Sequence, residues 1–562
     1  MTEFYNPYQF IEFTGKVNGD DVKTTPFSEI GKGNTEARHD YWLPSPDYHS
    51  GRILCQINLL SPTITGNIHD KETKKPACIV KQYRYKGQLA IQANSLRGMI
   101  ANILELLSQS ALRILSDKAY RVSDNKKVVN FNSTTFDFFK ANGHAGNNKN
   151  YRNALPWGNG RTELTPAEIL LGVVKDENDP DNKNIASANL ASRIRFSDAL
   201  GKDIKLSGNL LPLKILGSPK PSESGSKADK NKGTPTACMY FKPRGGSGYI
   251  AKTELTKDLH EANGRKFYLP HPASAEPHWQ ANISGRDDNA KQRIYCSPLA
   301  AGQSLYFHID FNNLSTDELI LLQTSLKPSP YHQHSIGLGK PLGLGQINLT
   351  RLATFFINRQ QRYSLQALTA ERYTSVQTQQ SQLPECLQER YPHECLAIAT
   401  APKPKTDLVG TSPLIDPETL TLLQRLGNPK QQKNGIVICF PYNEDGDKGQ
   451  KPYNEKESFK WFVENNKQKQ SNGAILVHAK RNARNTYFKQ FPSATQAKSP
   501  KLKSNSHLGK DKCRAYVNSR QPLNSKQLAC LPYRTRKNRH RTGNQSAFCQ
   551  LHYRLTFTRS GR

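Results

Sequence analysis

Apolar and polar residues alternate most clearly in residues 51–65, GRILCQINLLSPTIT. Every second residue from Ile53 to Leu59 would share one face, which predicts a half-buried strand ending at Ser61–Pro62. A short polar loop, residues 66–71, follows, and a second strand-like run lies at Leu89–Ile91. Two strands joined by a polar loop are therefore expected near the start of the chain.

The best helical pattern begins at Asn94. Its apolar face would carry Leu96, Met99, Ile100, Ile103, Leu107 and Ala111. Ser95 is a good N-cap, and a helix N-terminus attracts anions. Arg97 could contact a phosphate there, and Gly98 would let a ligand approach closely. The alternative is that Ser95 only caps the helix and Arg97 is a solvated surface residue.

Alternation returns at Ser192–Ala199, which predicts a strand with Arg193 and Arg195 on a basic outer face. Leu305–Ile309 alternates again, and Ser315–Ile320 opens a helix with two acids in its first turn. This order of elements predicts an α+β fold, specifically a ferredoxin-like unit. The irregular stretches near 120–190 and 217–300 are expected to be large insertions or mobile loops.

The second helix leads into a glycine-rich segment at His334–Ile347, HSIGLGKPLGLGQI. Its glycines are Gly337, Gly339, Gly343 and Gly345. Glycine tolerates positive φ and close backbone contact, so exposed N–H groups here could face phosphate oxygens, with Lys340 adding a charge. The spacing fits neither G-x-G-x-x-G nor the P-loop. The alternative is a glycine-rich hairpin at a tight packing contact.

The chain carries 79 Lys and Arg against 47 Asp and Glu, a formal net charge of +32. Such a bias indicates a polyanionic partner, nucleic acid or an acidic membrane surface. No apolar run reaches the roughly 18 residues of a membrane span and no leader pattern opens the sequence, so a soluble, cytoplasmic protein is expected. The ten cysteines include no C-x-x-C pair. Cys386, His393 and Cys395 match no zinc module, and free thiols are expected.

Taken together, these blocks resemble the CRISPR-associated RAMP superfamily, of the backbone-subunit type found in type III effector complexes. The blocks that carry the resemblance are Gly51–Ile53 into Ser61–Pro62, Asn94–Met99, Ile194–Ala199 and Gly337–Gly345, with weaker matches at Asn6–Phe10 and Arg265–Tyr268. They cover residues 1 to about 355. One departure is Gln92–Asn94, which stands where the family often has Pro-Gly before the serine.

The resemblance implies a modified RNA-recognition-motif fold, a ferredoxin-like RAMP fold with large insertions. Its partners would be CRISPR RNA, target RNA and other effector subunits, with no membrane. The residues it assigns to the guide-RNA backbone are Ser95, Arg97, Gly98, Gly337, Gly339, Lys340, Gly343 and Gly345. Arg193 and Arg195 of the basic strand are further candidates for RNA binding.

In some backbone subunits, an Asp in the loop after the first strand drives metal-dependent cleavage of the paired target RNA. The resemblance therefore implies Asp70 as the catalytic and metal-binding residue, His69 as a neighbouring acid or base, and a divalent metal such as magnesium as cofactor. The plain alternative is an ordinary polar turn. A non-catalytic structural backbone subunit and a guide-processing endoribonuclease also stay open.

The predicted domains are a RAMP domain at 1–365, an accessory region at 366–478 and a basic tail at 479–562. The tail holds twenty Lys and Arg and a single acid, Asp511, and therefore carries +19 of the net charge. It has too few periodic apolar residues for a core. It is either a disordered basic arm or the product of a reading-frame slip near Ala479.

Overall fold

The computed structural model describes residues 4–5, 7–27, 48–66, 68–70, 78–113, 120–124, 127–131, 153–157, 161–174, 189–216, 241–243, 260–262, 264–271, 279–281, 283, 293–357, 372–378, 380–400, 411–431, 437–438, 476–478 and 485–487. The chain divides into two compact units, residues 1–497 and 498–562, and the described residues all belong to the first. Most of the predicted insertions and tail lie outside the described residues.

The α-helices are α1 (Ala93–Leu107), α2 (Pro166–Leu171), α3 (Thr316–Leu326), α4 (Pro392–Thr400) and α5 (Pro417–Leu426). Short 3₁₀ helices occupy Lys340–Leu342, Glu385–Leu387 and Pro429–Gln431. The first strands are β1 (Phe4–Tyr5), β2 (Tyr8–Ile11), β3 (Lys16–Val17), β4 (Asp20–Asp21), β5 (Thr25–Pro26), β6 (Tyr48–Leu59), β7 (Ile68–Asp70), β8 (Cys78–Lys81), β9 (Arg84–Tyr85) and β10 (Gln88–Ile91). Next come β11 (Tyr120–Asp124), β12 (Lys127–Phe131), β13 (Glu163–Leu164), β14 (Ile194–Phe196), β15 (Ala199–Leu200), β16 (Leu211–Pro212), β17 (Phe241–Pro243), β18 (His260–Ala262), β19 (Arg265–Tyr268) and β20 (Ile294–Cys296). The last are β21 (Ser304–Ser315), β22 (His334–Ser335), β23 (Gln346–Phe356), β24 (Ser375–Thr378), β25 (Val437–Ile438), β26 (Leu476–His478) and β27 (Asn485–Tyr487).

An antiparallel sheet forms the centre of the first unit. Its longest strand, β6, lies between β21 and β23 and is antiparallel to both. The strand order is β22-β23-β6-β21-β15-β10-β9, with β14 also paired to β21 and β24 to β23. Helix α1 follows β6 and β10 in the chain, and α3 connects β21 to the glycine-rich segment before β23. The fold is therefore a mixed α/β fold built on an antiparallel sheet.

The predicted strand at residues 51–65 is confirmed as β6, and its alternate residues from Ile53 to Leu59 are buried against α1 and α3. The predicted half-buried pattern is confirmed at Gln56 and Asn58, which are partly exposed, and it has one exception. Leu54, on the opposite face, is also fully buried, because Tyr373 and Tyr391 cover it. The accessory region therefore packs on the second face of the sheet.

A polar cluster joins that accessory region to the sheet. Arg52 of β6 contacts Asp310 at 2.7 Å and Glu394 of α4 at 2.9 Å. His308 lies beside them, with its Nδ1 3.2 Å from the Tyr391 hydroxyl. Burial, together with the nearby Arg52 charge, lowers the pKa of His308 to about 4. The histidine is therefore neutral in the folded protein at neutral pH.

Helix α3 begins as predicted, with a reciprocal capping box. The Ser315 hydroxyl accepts from the Glu318 amide at 3.2 Å, and the Glu318 carboxylate accepts from the Ser315 amide at 2.8 Å. Helix α1 corrects the sequence prediction, because Gln92 is its N-cap and Ser95 lies inside the first turn. Asp198 takes the capping role instead, since its Oδ1 accepts from the Ala93 amide at 2.7 Å.

The stretch near 120–190 is not wholly outside the core. Helix α2 opens with a capping box between Thr165 and Glu168, and its residues Ala167, Leu170 and Leu171 belong to the main hydrophobic core. Arg161 holds Glu168 through a buried salt bridge of 2.6 Å. A short capped helix thus packs on α1 within a region that the composition assigned to a mobile loop.

A second sheet, of order β16-β20-β8-β7, lies beside the glycine-rich segment. The predicted polar loop at 66–71 contains the edge strand of this sheet, β7, where Asp70 pairs with Ile79. Leu342 and Leu344 of the glycine-rich segment pack with Val80 in a shared apolar cluster. No helix among the described residues is long and apolar enough to cross a membrane. The cysteines within those residues are free.

Candidate functional site

Three segments that are distant in sequence meet around a groove of about 440 Å³. They are the first three turns of α1, strand β19 and the glycine-rich segment. The lining residues that bear on function are Ser95, Gly98, Lys266, Tyr268, Gly337 and Lys340. We call this feature the groove. Two of its segments, the start of α1 and the glycine-rich segment, are blocks predicted to bind RNA, and the third is strand β19.

The glycines of the glycine-rich segment are required by its own backbone. Gly339 and Gly343, with φ of 72° and 83°, flank the 3₁₀ turn Lys340–Leu342. A Cβ on Gly337 would lie 2.1 Å from the Ile64 carbonyl oxygen, and one on Gly345 would lie 1.8 Å from that of Ile336. The predicted positive φ and close backbone contact are both confirmed. The hairpin alternative therefore accounts for much of the glycine content.

The predicted run of exposed N–H groups is wrong for most of this segment. The Leu338 amide donates to Ile64 at 2.9 Å, the Gly343 amide to Lys340 at 3.0 Å, and the Gly345 amide to Pro62 at 2.9 Å. These N–H groups are used inside the protein and cannot cradle a phosphate. The segment instead contributes to the groove through Gly337 and the Lys340 side chain.

The positive charge of the groove comes from two lysines beside one aromatic ring. The Lys266 Nζ lies 4.9 Å from the centroid of the Tyr268 ring and 3.9 Å from that of Tyr8. The Lys340 Nζ lies 5.3 Å from the centroid of Tyr268. Pairing of β19 with β2 places Tyr268 opposite Tyr8 and fixes this arrangement. Within the described part of the chain, no carboxylate forms an ion pair with Lys340.

Burial and the charge of Lys340 lower the pKa of Lys266 to about 8. Burial also lowers the pKa of Lys340. Two partly buried ammonium groups that repel each other create a positive potential, which an anion in the groove would relieve.

The helix side of the groove is open at Gly98. This residue is exposed, and a Cβ built on it would meet no atom within 4 Å. The first turn of α1 carries no acidic residue of its own. The Ala93 amide nevertheless donates a hydrogen bond to Asp198, so one of the free N–H groups of the helix N-terminus is already paired. Anion binding in the groove would therefore depend on its lysines more than on the helix dipole.

The arginines predicted to bind RNA lie elsewhere. Arg97 turns to the Leu171 carbonyl, and burial lowers its pKa. Arg193 ties β14 to α3 by donating to Asn313 at 2.8 Å and by pairing with Glu318. Arg195 is exposed on β14. None of the three lines the groove.

The structure describes the backbone of His69 and Asp70 in β7, whereas their side chains lie outside the described part. Among the described residues, no group of three His, Cys, Asp or Glu side chains could hold a metal ion. The predicted catalytic and metal-binding roles of Asp70, and the assisting role of His69, therefore stay predictions. No chemical step follows from the geometry of this strand.

Lys266 and Tyr268 are the functional candidates that sequence reasoning missed. They alternate in the block Arg265–Tyr268, which puts a cation and an aromatic ring on one face of a strand. That alternation is a local signal for a binding strand. The pairing of Tyr268 with Tyr8, by contrast, joins residues far apart in the sequence and has no local signal. Asp198 was also missed, because its capping contact with α1 is non-local.

No protein-family model and no curated protein sequence matches the chain. Solved structures do match: a chain of a type IV-B CRISPR complex is 14% identical with a TM-score of 0.23, covering 53% of this chain and 89% of that one. Oligomeric Cmr4 from Pyrococcus furiosus is 12% identical with a TM-score of 0.20, covering 54% and 97%. A chain of the type III-B Cmr-beta complex bound to cognate target RNA is 11% identical with a TM-score of 0.21, covering 59% and 64%. Identities and TM-scores this low assign neither a fold nor a function to this chain.

Proposed function

We propose that this chain is a CRISPR RNA-binding subunit of a type III antiviral effector complex. The observation that carries the proposal is the groove. It brings together the start of α1 and the glycine-rich segment, the two blocks that the sequence resemblance assigns to the guide-RNA backbone. Residues far apart in the chain converge on one basic, partly aromatic surface, a combination that single-stranded nucleic-acid binders use.

The strand order supports a ferredoxin-like RAMP fold. In the chain, β6 is followed by α1, β14, β21, α3 and β23. In the sheet, the order is β23-β6-β21-β14, and each neighbouring pair is antiparallel. A β-α-β-β-α-β unit of this kind is the ferredoxin-like arrangement. The remaining strands are additions around it.

The two lysines of the groove suit a nucleic acid that is bound through its phosphate backbone. Ammonium groups bind phosphate as point charges and do not distinguish one base from another. Sequence choice would then be left to base pairing between the guide and its target. Residues 1–478, without the tail, carry a net charge of +13, which favours the same class of partner over an acidic small molecule.

The proposal extends to cleavage of the guide-paired target RNA, with Asp70 as the residue that would hold a divalent ion. It is tested by purifying the chain with its partner subunits and sequencing the bound RNA. CRISPR repeat-derived RNA should be enriched, and a guide-complementary RNA should be cut only when a divalent ion is present. Asp70→Ala should abolish that cleavage and leave guide binding unchanged.

Two outcomes contradict the proposal in different parts. If the purified complex contains no guide RNA, the binding function is wrong. If guide RNA is bound but Asp70→Ala cleaves at the full rate, or the unmutated complex cleaves with no metal, only the catalytic part fails. A complex that binds guide and never cleaves would make this chain a structural backbone subunit.

A further inference from the structure

Two ammonium groups share one aromatic ring in the groove, and an open glycine lies on the same lining. We infer that Lys266, Lys340 and Tyr268 form a clamp for one nucleotide of a single-stranded RNA, whose ribose-phosphate chain passes over Gly98. This inference rests on the proposed function and assigns its contacts to residues outside the predicted set, apart from Lys340 and Gly98.

The positions of the lysines support a shared phosphate. Their ammonium groups lie 4.9 Å and 5.3 Å from the centroid of the same Tyr268 ring. Lysine side chains are flexible and carry three donors each, so one phosphate above the ring could accept from both. A bound phosphate would also remove the repulsion that the two charges exert on each other.

Tyr268 gives the clamp a surface for the nucleoside. Tyr268 lines the groove, and its ring makes an edge-to-face contact with Tyr8, with the two centroids 6.0 Å apart. Single-stranded RNA is commonly bound by stacking on such rings together with backbone cations. The groove volume of about 440 Å³ is of the size that holds one small ligand unit.

Gly98 supplies an independent observation. A glycine inside a helix costs roughly 0.5–1 kcal/mol relative to alanine. No neighbour within the described structure demands it, because its Cβ position is empty to 4 Å. The glycines of the glycine-rich segment are different, since each meets a close backbone or side-chain atom. A glycine that lowers helix stability and leaves this part of the groove open fits a position that a ligand backbone crosses closely.

The test measures binding of a single-stranded RNA 20-mer to the full chain by fluorescence anisotropy over a range of salt. Lys266→Gln and Lys340→Gln should each lower affinity about tenfold and reduce the salt slope by about one unit. Lys430→Gln is the matched control, because Lys430 lies over the Tyr331 ring at 4.6 Å but does not line the groove. It should change neither quantity.

Further variants separate binding from folding. Lys266→Arg and Lys340→Arg keep the charge and should retain most of the affinity. Tyr268→Phe keeps the ring and should retain the RNA affinity, whereas Tyr268→Leu should lower the RNA affinity severalfold. Each variant's thermal unfolding is recorded beside its binding. A loss of affinity with an unchanged melting temperature supports the clamp.

A competition experiment distinguishes a site for an RNA chain from a site for a free small anion. Pyrophosphate and AMP, each at 1 mM, should displace the RNA only weakly if the clamp holds one unit of a chain. Strong displacement would show a small-anion site and overturn the inference. Lysine variants that bind like Lys430→Gln, in a complex that still carries guide RNA, would overturn the clamp and leave the proposed function standing. Absence of guide RNA from the unmutated complex would overturn both.

Discussion

Gly98→Ala should make the protein more stable and a worse RNA binder. The added methyl group meets no atom within 4 Å, so no clash offsets the gain in helix propensity. That gain is roughly 0.5–1 kcal/mol for an exposed helix interior. For a folded unit that spans residues 1–497, it corresponds to a rise in melting temperature of roughly 0.5–1 °C.

The same methyl group would stand in the groove. If an RNA backbone passes over Gly98, it must move away from the helix and loses part of its contact with Lys266 and Lys340. A loss of about 1.4 kcal/mol corresponds to a tenfold weaker Kd. Gly98→Leu should weaken binding further, whereas its stability should stay close to that of Gly98→Ala because both are good helix formers.

Two measurements on the same sample decide the matter. Differential scanning calorimetry of the RNA-free chain gives the change in stability, and anisotropy titration gives the change in Kd. The reasoning fails if Gly98→Ala binds RNA as tightly as the unmutated chain. It also fails if the variant melts at a lower temperature, since the position would then have a structural requirement for glycine.

Three further predictions follow from contacts already described. Gly345→Ala should lower the free energy of unfolding by about 2 kcal/mol or more, because φ is 71° and the new Cβ would lie 1.8 Å from the Ile336 carbonyl oxygen; an unchanged melting temperature contradicts this. Asp198→Ala should lower the free energy of unfolding by about 1–2 kcal/mol and weaken RNA binding, because α1 loses its cap. Asp198→Asn keeps an acceptor, so it should retain more of the stability and of the RNA affinity in the same melting and anisotropy assays. His334 is buried, with its Nε2 2.8 Å from the Leu326 carbonyl oxygen. Burial lowers the pKa values of His308 and His334 to about 4 each, below their usual 6.5, so the unfolded chain binds more protons between those values. Stability should therefore fall as pH drops from about 6.5 to 4, by on the order of 2–3 kcal/mol per histidine, and pH-dependent urea unfolding with no such slope would refute it.

Several elements with local signals are predicted correctly from the sequence. The alternation of β6 and the capping box at Ser315 each depend on residues within one element, so periodicity and side-chain type suffice to find them. The same holds for the positive φ of the glycine-rich segment. The capping box at Thr165 carried an equally local signal, and the polar composition around it concealed the short buried helix α2.

Non-local contacts could not be predicted. Ser95 has the chemistry of an N-cap, but the Ala93 amide donates to the carboxylate of Asp198, which lies between β14 and β15, more than a hundred residues away in the chain. Arg97 and Arg193 have the chemistry of phosphate ligands, yet each is used by a carbonyl or carboxylate of the fold. An arginine is a useful candidate only once its intramolecular partners are known.

The two lysines of the groove lie on different parts of the fold. Lys340 belongs to the connection between α3 and β23, inside the β-α-β-β-α-β unit. Lys266 belongs to β19, which lies in the stretch predicted as an insertion and is held by pairing with β2 near the start of the chain. Without β19, the core unit would present only Lys340 of the three residues in the proposed clamp. Because β19 and β2 pair with each other over four residues, a change at Tyr8 should displace Lys266 and Tyr268 together. If the groove binds RNA as proposed, the predicted insertion is part of the binding surface, and RNA affinity should depend both on the core unit and on the strand added to it.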